Sequence, residues 1–354
     1  MSAPIARINA IGTATPAHDI HQAFIDWASK RVADPREAGL FSRMAARSGI
    51  AHRYSVLPRG QNGGSPVAQD GFYANDMLPP TSARMALYGQ HAPALAMDAI
   101  RRLGSLGNIT HVVVASCTGF VAPGIDQIIA GRLGLSPSVE RLLVGFMGCY
   151  AAISALRSAR HIVRSEPTAR VLVVTVELST LHLQPDTALE PLLAMLQFGD
   201  GAAAALVTAE GSGLAIEDPF ATTLPDSAGL IRWDIGDQGF SMHLSGAVPG
   251  RIADALREPE FRHILTGGLD PGAIDSWAVH AGGRSILDAV SHALDLDSQA
   301  LTISRNVLHN YGNMSSATLM FALAGFLDRP SRQGVALAFG PGLAAEGFRF
   351  HEVD

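Results

Sequence analysis

The sequence predicts an α/β protein with covered sheets and two related halves. Three observations predict it. Short, continuous apolar runs such as "THVVVAS", "RVLVVTVE" and "GVALAFG" have the length of strands buried on both faces, and the first two are rich in β-branched residues. Segments of helical length alternate with them. The strand-helix-strand plan then recurs. Cys149 lies 22 residues before Val171 and Asn313 lies 22 before Val335; each follows a glycine and opens an apolar helix rich in small residues.

Taken in order, "ARINAIGTATP" reads as a strand closed by a proline turn. "HQAFIDWASKRVADPREAGLFSRMAARSGIAHRY" is helical in pieces, and Arg43, Arg47 and Arg53 make its end basic. Residues 55–82 are rich in Gly, Pro and Asn and read as a long loop. "TSARMALYGQHAPALAMDAIRRLG" is an amphipathic helix that a Thr or Ser is placed to cap. The strand "THVVVAS" follows, then a helix from Tyr150 to Arg164, then the strand "RVLVVTVE". In the second half "SWAVHAGG" is a strand ending in glycines and "RSILDAVSHALDL" a helix. "YGNMSSATLMFALAGFL" is a Gly-led helix, and "GVALAFGPG" a last strand with a glycine turn.

At 354 residues the chain suits two domains or one large double domain. The halves divide as 1–220, which carries Cys149, and 221–354, which carries His280 and Asn313. With 47% apolar and 16% charged residues the composition is that of a folded globular protein. A net charge of −6 without a basic tail or stripe speaks against nucleic acid as a partner. Two cysteines, Cys117 and Cys149, make neither a disulfide framework nor a four-cysteine zinc site, and a reducing cytoplasm is the expected location. The N-terminal residues lack the regions of a signal peptide, and no apolar run reaches the roughly 18 residues of a membrane span.

Cys149 is the residue to explain. A free cysteine packs well as a small hydrophobe. A cysteine at a helix N-terminus also feels the positive end of the helix dipole and loses its proton more easily. If the halves are pseudo-symmetric, the helix starts at Cys149 and Asn313 converge, and His280, at the end of "SWAVH", approaches the same point. A cysteine nucleophile, a histidine beside it and an amide donor for a developing oxyanion make a coherent machine. On that reading a neighbouring imidazolium keeps the thiol ionised at neutral pH. Residue types alone do not separate proteolysis from acyl transfer, since papain-like proteases use the same three.

The flanking words separate them. "AIGTATP", "SCTGFVAPG", "GFMGCYAA", "FGDGAAAALV", "VHAGGRSILDAV", "YGNMSSATLMFAL" and "AFGPGLAAE" occur in that order, and over residues 7 to 350 the chain resembles the type III polyketide synthases, the chalcone synthase-like family. "SCTGF" is closer to the bacterial branch. The resemblance implies a thiolase-type fold of two pseudo-symmetric α/β halves in αβαβα layers, working as a homodimer. It implies acyl-CoA starters and malonyl-CoA as substrates, no metal and no other cofactor. The starter is loaded on Cys149, extended by decarboxylative Claisen condensation and cyclised, with His280 and Asn313 assisting.

The resemblance carries further residues. Phe198 falls on the gatekeeper between coenzyme A tunnel and cavity, and Gly340, Pro341 and Gly342 on the loop that shapes the cavity wall. Arg43 and Arg47 fall on the segment that meets the coenzyme A phosphates, with Leu40 where a lysine is usual. Ser315 lines the cavity or caps its helix. Cys117 stands for a cavity-wall threonine, Met242 for a second gatekeeper phenylalanine, and Ala122 for a methionine that reaches the partner subunit's cavity; Trp233 refills some of that volume. These changes favour a flexible aliphatic starter, with alkylpyrone, alkylresorcinol or acylphloroglucinol products. Two alternatives stand beside this reading: a ketoacyl synthase III-like enzyme that condenses once from acyl carrier protein, and a non-catalytic scaffold on the same fold.

Overall fold

The computed structural model describes residues 4–74 and 78–354. Its elements begin with β1 (Arg7–Ala14), β2 (His18–Asp19), α1 (His21–Ser29), α2 (Pro35–Ala46) and β3 (Tyr54–Ser55). Next come α3 (Thr81–Arg101), β4 (His111–Ser116), α4 (Ile125–Arg132), β5 (Glu140–Gly145), α5 (Ala151–Ser165), β6 (Val171–Leu178), α6 (Leu189–Met195) and β7 (Asp200–Thr208). After β8 (Gly213–Thr223) stand the hairpin β9 (Ile231–Gly236) and β10 (Gly239–Leu244), α7 (Val248–Arg257) and α8 (Pro259–Thr266). The chain closes with β11 (Ser276–Val279), α9 (Arg284–Ala293), α10 (Thr302–Tyr311), α11 (Ser316–Ala324), β12 (Gly334–Gly340) and β13 (Ala344–Val353). Of the loop expected over residues 55–82, residues 75–77 lie outside the described residues.

Nine strands form one sheet in the order β11-β12-β13-β8-β1-β7-β6-β4-β5. The short β1–β8 ladder is its centre of symmetry. Outward from it, β1, β7, β6 and β4 are joined antiparallel, antiparallel, parallel, and so are β8, β13, β12 and β11. Only β5 lacks a counterpart. Residues 220 and 221, the expected division, lie within β8.

The alternation of side chains explains the layers. On β4, β6, β7 and β12 one set of residues, including Val113, Val173, Ala203 and Ala336, joins a central core with α5 and α11. The other set faces outward: Val112, Leu172 and Ala204 pack under α3, and Val335 and Leu337 pack with α7 and α9. Strands covered on both faces read as continuous apolar runs, which is why these were recognisable. Every residue from Ser316 to Leu323 is buried, because α11 lies between the half-sheets and has no solvent face. This is the thiolase-type αβαβα arrangement.

Two local expectations are corrected. Pro80, not a hydroxyl residue, precedes α3, and Thr81 instead accepts the Gly239 N–H (2.8 Å) and donates to the Gly236 carbonyl, holding the β9–β10 hairpin. Arg53 does not belong to a basic surface. It is buried, donates to the Met195 and Phe198 carbonyls (3.1 and 2.6 Å) and lies over the Phe24 ring. Among the described residues no helix is long and apolar enough to cross a membrane.

Candidate active site

Cys149 occupies a single 3-10 turn, Gly148–Tyr150, that opens α5, and it is 8% exposed. Gly148 makes that turn possible. Its φ is +77°, and a Cβ there would stand 2.4 Å from Cδ of Pro341, in the loop after β12. Gly148→Ala is therefore expected to destabilise the fold by about 1–3 kcal/mol, through backbone strain and the clash with a rigid ring. A denaturant melt checks it, and an unchanged midpoint would show that the loop yields freely.

On the symmetric side, Asn313 is fixed by its backbone to the segment before β7. Its N–H donates to the Gln197 carbonyl (2.8 Å) and its carbonyl accepts from Gly199 N–H (3.0 Å), so Phe198 and Asn313 form an isolated bridge. The side-chain NH₂ donates to the Gly282 carbonyl (3.2 Å), and Oδ1 accepts the Ser315 N–H (2.8 Å). Ser315 then adopts φ 48°, ψ −127°, a strained conformation for a residue with a Cβ. Its hydroxyl lies 3.7 Å from Cys149 Sγ and 3.2 Å from Cys117 Sγ. His280 follows β11, its N–H bound to the Leu337 carbonyl (2.8 Å); neither ring nitrogen has a hydrogen-bond partner among the described residues.

Burial dominates the electrostatics. It pushes the Cys149 thiol up to about 12; hydrogen bonds from Ser315 and Asn313 oppose the rise and the Glu177 charge adds to it. Burial also draws His280 down to about 3. Burial thus works against both the thiolate and the imidazolium that the sequence reading expects, while the helix start favours the anion.

Cys149 faces a small chamber of about 20 Å³ whose walls include Cys117, Phe198, Trp233, Met242, Ser315 and Pro341. Trp233 and Met242 lie opposite each other in the β9–β10 hairpin, and Trp233 Nε1 donates to the Cys117 carbonyl (2.8 Å). Phe198, Trp233, Met242 and Ser179 are also walls of a larger, mostly apolar cavity of about 120 Å³, lined further by Phe24, Leu57, Tyr73 and Met195. The two spaces thus share one partition. Gly340 and Gly342 flank Pro341 without lining the chamber; a Cβ on Gly340 would meet the Tyr150 ring at 2.6 Å. Ala122 is exposed and borders neither space, and so are Arg43 and Arg47 on and after α2. The Arg47 carbonyl accepts from Arg284 Nη1 (3.1 Å), which ties the end of α2 to the start of α9.

Sequence reasoning missed Glu177 and His182. Glu177 is fully buried at the end of β6. It accepts from the Cys117 N–H (3.0 Å), the Thr118 hydroxyl (2.8 Å), the Ser316 hydroxyl (2.5 Å) and the Cys117 thiol (3.4 Å). The signal was there, a lone acid closing the apolar run "VLVVTVE". His182 donates through Nε2 to the Thr118 carbonyl (2.7 Å), accepts the Phe240 N–H at Nδ1 (3.0 Å) and stacks on Phe240, so it pins the hairpin to the first half. Burial lowers it to about 3 and keeps it neutral.

The sequence matches the family of chalcone and stilbene synthases, by its N-terminal domain over residues 1–211 and its C-terminal domain over residues 215–354. The chain belongs to that family. Solved structures agree. The C-terminal type III polyketide synthase domain of Steely1, a type I/III hybrid from Dictyostelium, superposes with a TM-score of 0.88 at 26% identity, over 99% of this chain and 100% of that one. PKS-I from the brown alga Ectocarpus siliculosus gives 0.88 at 28% identity over the full length of both chains. The chain is thus of the type III polyketide synthase family, whose substrates are coenzyme A thioesters. Its fold is the thiolase-type fold of those structures.

Proposed function

We propose that this protein loads an acyl starter from acyl-CoA onto Cys149, extends it with malonyl-CoA and cyclises the product. The observation that carries the reading is the joint placement of Cys149, Phe198 and Asn313: a thiol facing a chamber, an aromatic wall shared with a second space, and an asparagine bridged to that wall through its backbone. In the loading step Cys149 sulfur attacks the thioester carbon and coenzyme A leaves as the thiol. Loss of CO₂ from malonyl-CoA then supplies an enolate without a strong base. Its carbon attacks the acyl-enzyme carbonyl and expels the Cys149 sulfur. A neutral imidazole still donates one hydrogen bond, so His280 and the Asn313 NH₂ serve as donors to the enolate oxygen. Arg43 and Arg47 are proposed for the coenzyme A phosphates on the strength of the resemblance alone. The protein acts in the cytoplasm without a resident cofactor.

A homodimer is part of the proposal. β5 is an edge strand, and Leu142, Leu143 and the nearby Phe120 are 43%, 41% and 43% exposed. An apolar, unprotected edge is a surface that another strand covers. Ala122, next to Phe120, then faces the partner.

The starter we propose is aliphatic, giving alkylpyrone-, alkylresorcinol- or acylphloroglucinol-type products. The mostly apolar cavity of about 120 Å³ behind Met242 and Trp233 supports it. Methionine is unbranched and yields to an alkyl tail. Each methylene buried adds up to roughly 0.8 kcal/mol until the space is full. The expected result is a kcat/KM that rises from acetyl-CoA through medium or long acyl-CoA and exceeds that for coumaroyl-CoA, with Met242→Phe flattening the series. A flat series in the unaltered enzyme, or a preference for coumaroyl-CoA, would reject the aliphatic starter and leave Cys149, His280 and Asn313 in place. Extension of free malonyl-CoA without carrier protein separates this reading from a single-condensation enzyme and from a scaffold.

A further inference from the structure

At the end of the first half remote from the chamber, three elements bring one metal-ligating side chain each to the same place. On β4 the residues Val113 and Ala115 face the central core with α5, and His111 shares their face by alternation. β5 runs parallel to β4 in a register that sets Glu140 beside His111, so the two side chains rise on one face. Glu166 is the residue at which α5 ends, and α5 packs on both strands. One ligand atom from each of His111, Glu140 and Glu166 thus lies within 4.8 Å of the other two.

The imidazole is what sets this group apart from an ordinary acidic surface. His111 is 6% exposed, while both glutamates are exposed. Its Nδ1 lies 2.8 Å from Thr110 Oγ1, which accepts the Arg170 N–H (3.0 Å) and stands 3.3 Å from the Arg170 carbonyl. Its Nε2 has no hydrogen-bond partner among the described residues, and Glu140 Oε2 stands 3.6 Å from it. Among the described residues neither glutamate is paired with a lysine or arginine. The nearby Arg170 spends its guanidinium on the Leu106 carbonyl (3.2 and 3.1 Å). Two carboxylates and a buried ring nitrogen therefore converge with no side-chain cation between them.

We propose that His111, Glu140 and Glu166 bind one divalent transition-metal ion, of which zinc suits the donor set best. With the Thr110 hydroxyl proton on the Arg170 carbonyl, Nδ1–H donates to Thr110 and Nε2 presents its lone pair to the ion. Thr110 is then a positioning residue that fixes tautomer and ring orientation. Two ligands about 2.0–2.1 Å from zinc at a tetrahedral angle stand about 3.4 Å apart. The 3.6 Å between His111 Nε2 and Glu140 Oε2 is close to that, and the exposed Glu166 side chain is free to turn inward. Water takes the fourth position. An imidazole donor selects zinc over magnesium, which prefers oxygen ligands throughout.

The ion's role is structural. β4 runs from His111 toward Cys117, and α5 runs from the Cys149 turn toward Glu166, so the site lies at the far end of both elements and takes no part in condensation. What the ion ties down is β5, the edge strand, which pairs with β4 alone.

The test is equilibrium dialysis of the full-length, untagged protein against micromolar zinc at neutral pH, followed by metal analysis and a thermal melt. The unaltered protein is expected to hold one zinc per chain more than His111→Gln, and one more than the double variant Glu140→Gln with Glu166→Gln. Zinc held by the chamber thiols is common to all three and cancels. The unaltered protein is also expected to melt higher in zinc than after chelation, a difference that both variants lose while their condensation activity persists. Thr110→Val removes the hydroxyl behind Nδ1 and is expected to weaken zinc binding by about 10- to 100-fold. A simple ion pair between His111 and the glutamates requires no such effect. Where His111→Gln does not fold, the double variant, altered only at exposed positions, carries the test. Equal zinc uptake in the unaltered protein and the double variant overturns the proposal. Displacement of the zinc by an equal concentration of magnesium overturns it too, since it marks an unselective acidic surface. Unchanged affinity in Thr110→Val overturns the assigned tautomer of His111.

Discussion

Cys149→Ala is expected to abolish condensation, with a fall on the order of 10⁶-fold, the scale seen when a covalent nucleophile is removed. In the unaltered protein brief iodoacetamide treatment is expected to label Cys149 and to spare Cys117. Both thiols line the chamber, so access alone does not separate them. Their partners do. Hydrogen bonds from Ser315 and Asn313 oppose the rise that burial imposes on Cys149, whereas Cys117 lies against the Glu177 carboxylate, which repels a second negative charge. Mass mapping of the labelled peptide reads the result. Full activity in Cys149→Ala, or label on Cys117 first, would reject the assignment.

Asn313→Ala is expected to depress malonyl-CoA decarboxylation by about 10²–10³, the cost of one oxyanion donor, and to leave starter loading less affected. Its two side-chain atoms have separate duties. Oδ1 holds the Ser315 N–H, while the NH₂ donates to the Gly282 carbonyl and is proposed to donate to the enolate. Asn313→Asp keeps the acceptor and loses the donor. It is expected to lose decarboxylation as Asn313→Ala does while retaining the melting temperature better. Equal falls in loading and decarboxylation in both variants would make Asn313 a structural cap of α11.

The layered core was legible where a strand is buried on both faces by large residues, as in β4 and β6. It was illegible in β7, "DGAAAALVT", because alanine is the best helix former and carries no strand signal. Packing overrides that preference: β7 lies between α3 and α11, and small side chains let both helices approach. The edge strand β5 was missed because its exposed "ERLL" has no alternation. At the site, the symmetric spacing of Cys149 and Asn313 pointed to convergence, and Ser315, two residues after Asn313, lies 3.7 Å from the Cys149 sulfur. The walls formed by Phe198, Met242 and Trp233 were legible through family resemblance alone, since an aromatic residue in a loop has no local mark of the cavity it faces. The pull of burial on Cys149 and His280 was out of reach, because burial depends on neighbours distant in sequence.

The β9–β10 hairpin stands apart from the nine-stranded sheet, in a two-stranded sheet of its own, yet it carries Trp233 and Met242. That separation has an evolutionary consequence. Drift in the layers is punished at once, because α5, α11 and β7 have no spare room. Drift in the hairpin changes the volume and shape of the partition while the ladders of the scaffold keep their register. Exchange of residues 231–244 between relatives would therefore reshape that partition while leaving the Cys149 turn and the sheet in place. In this protein the wall of the chamber is separable from the scaffold that carries Cys149.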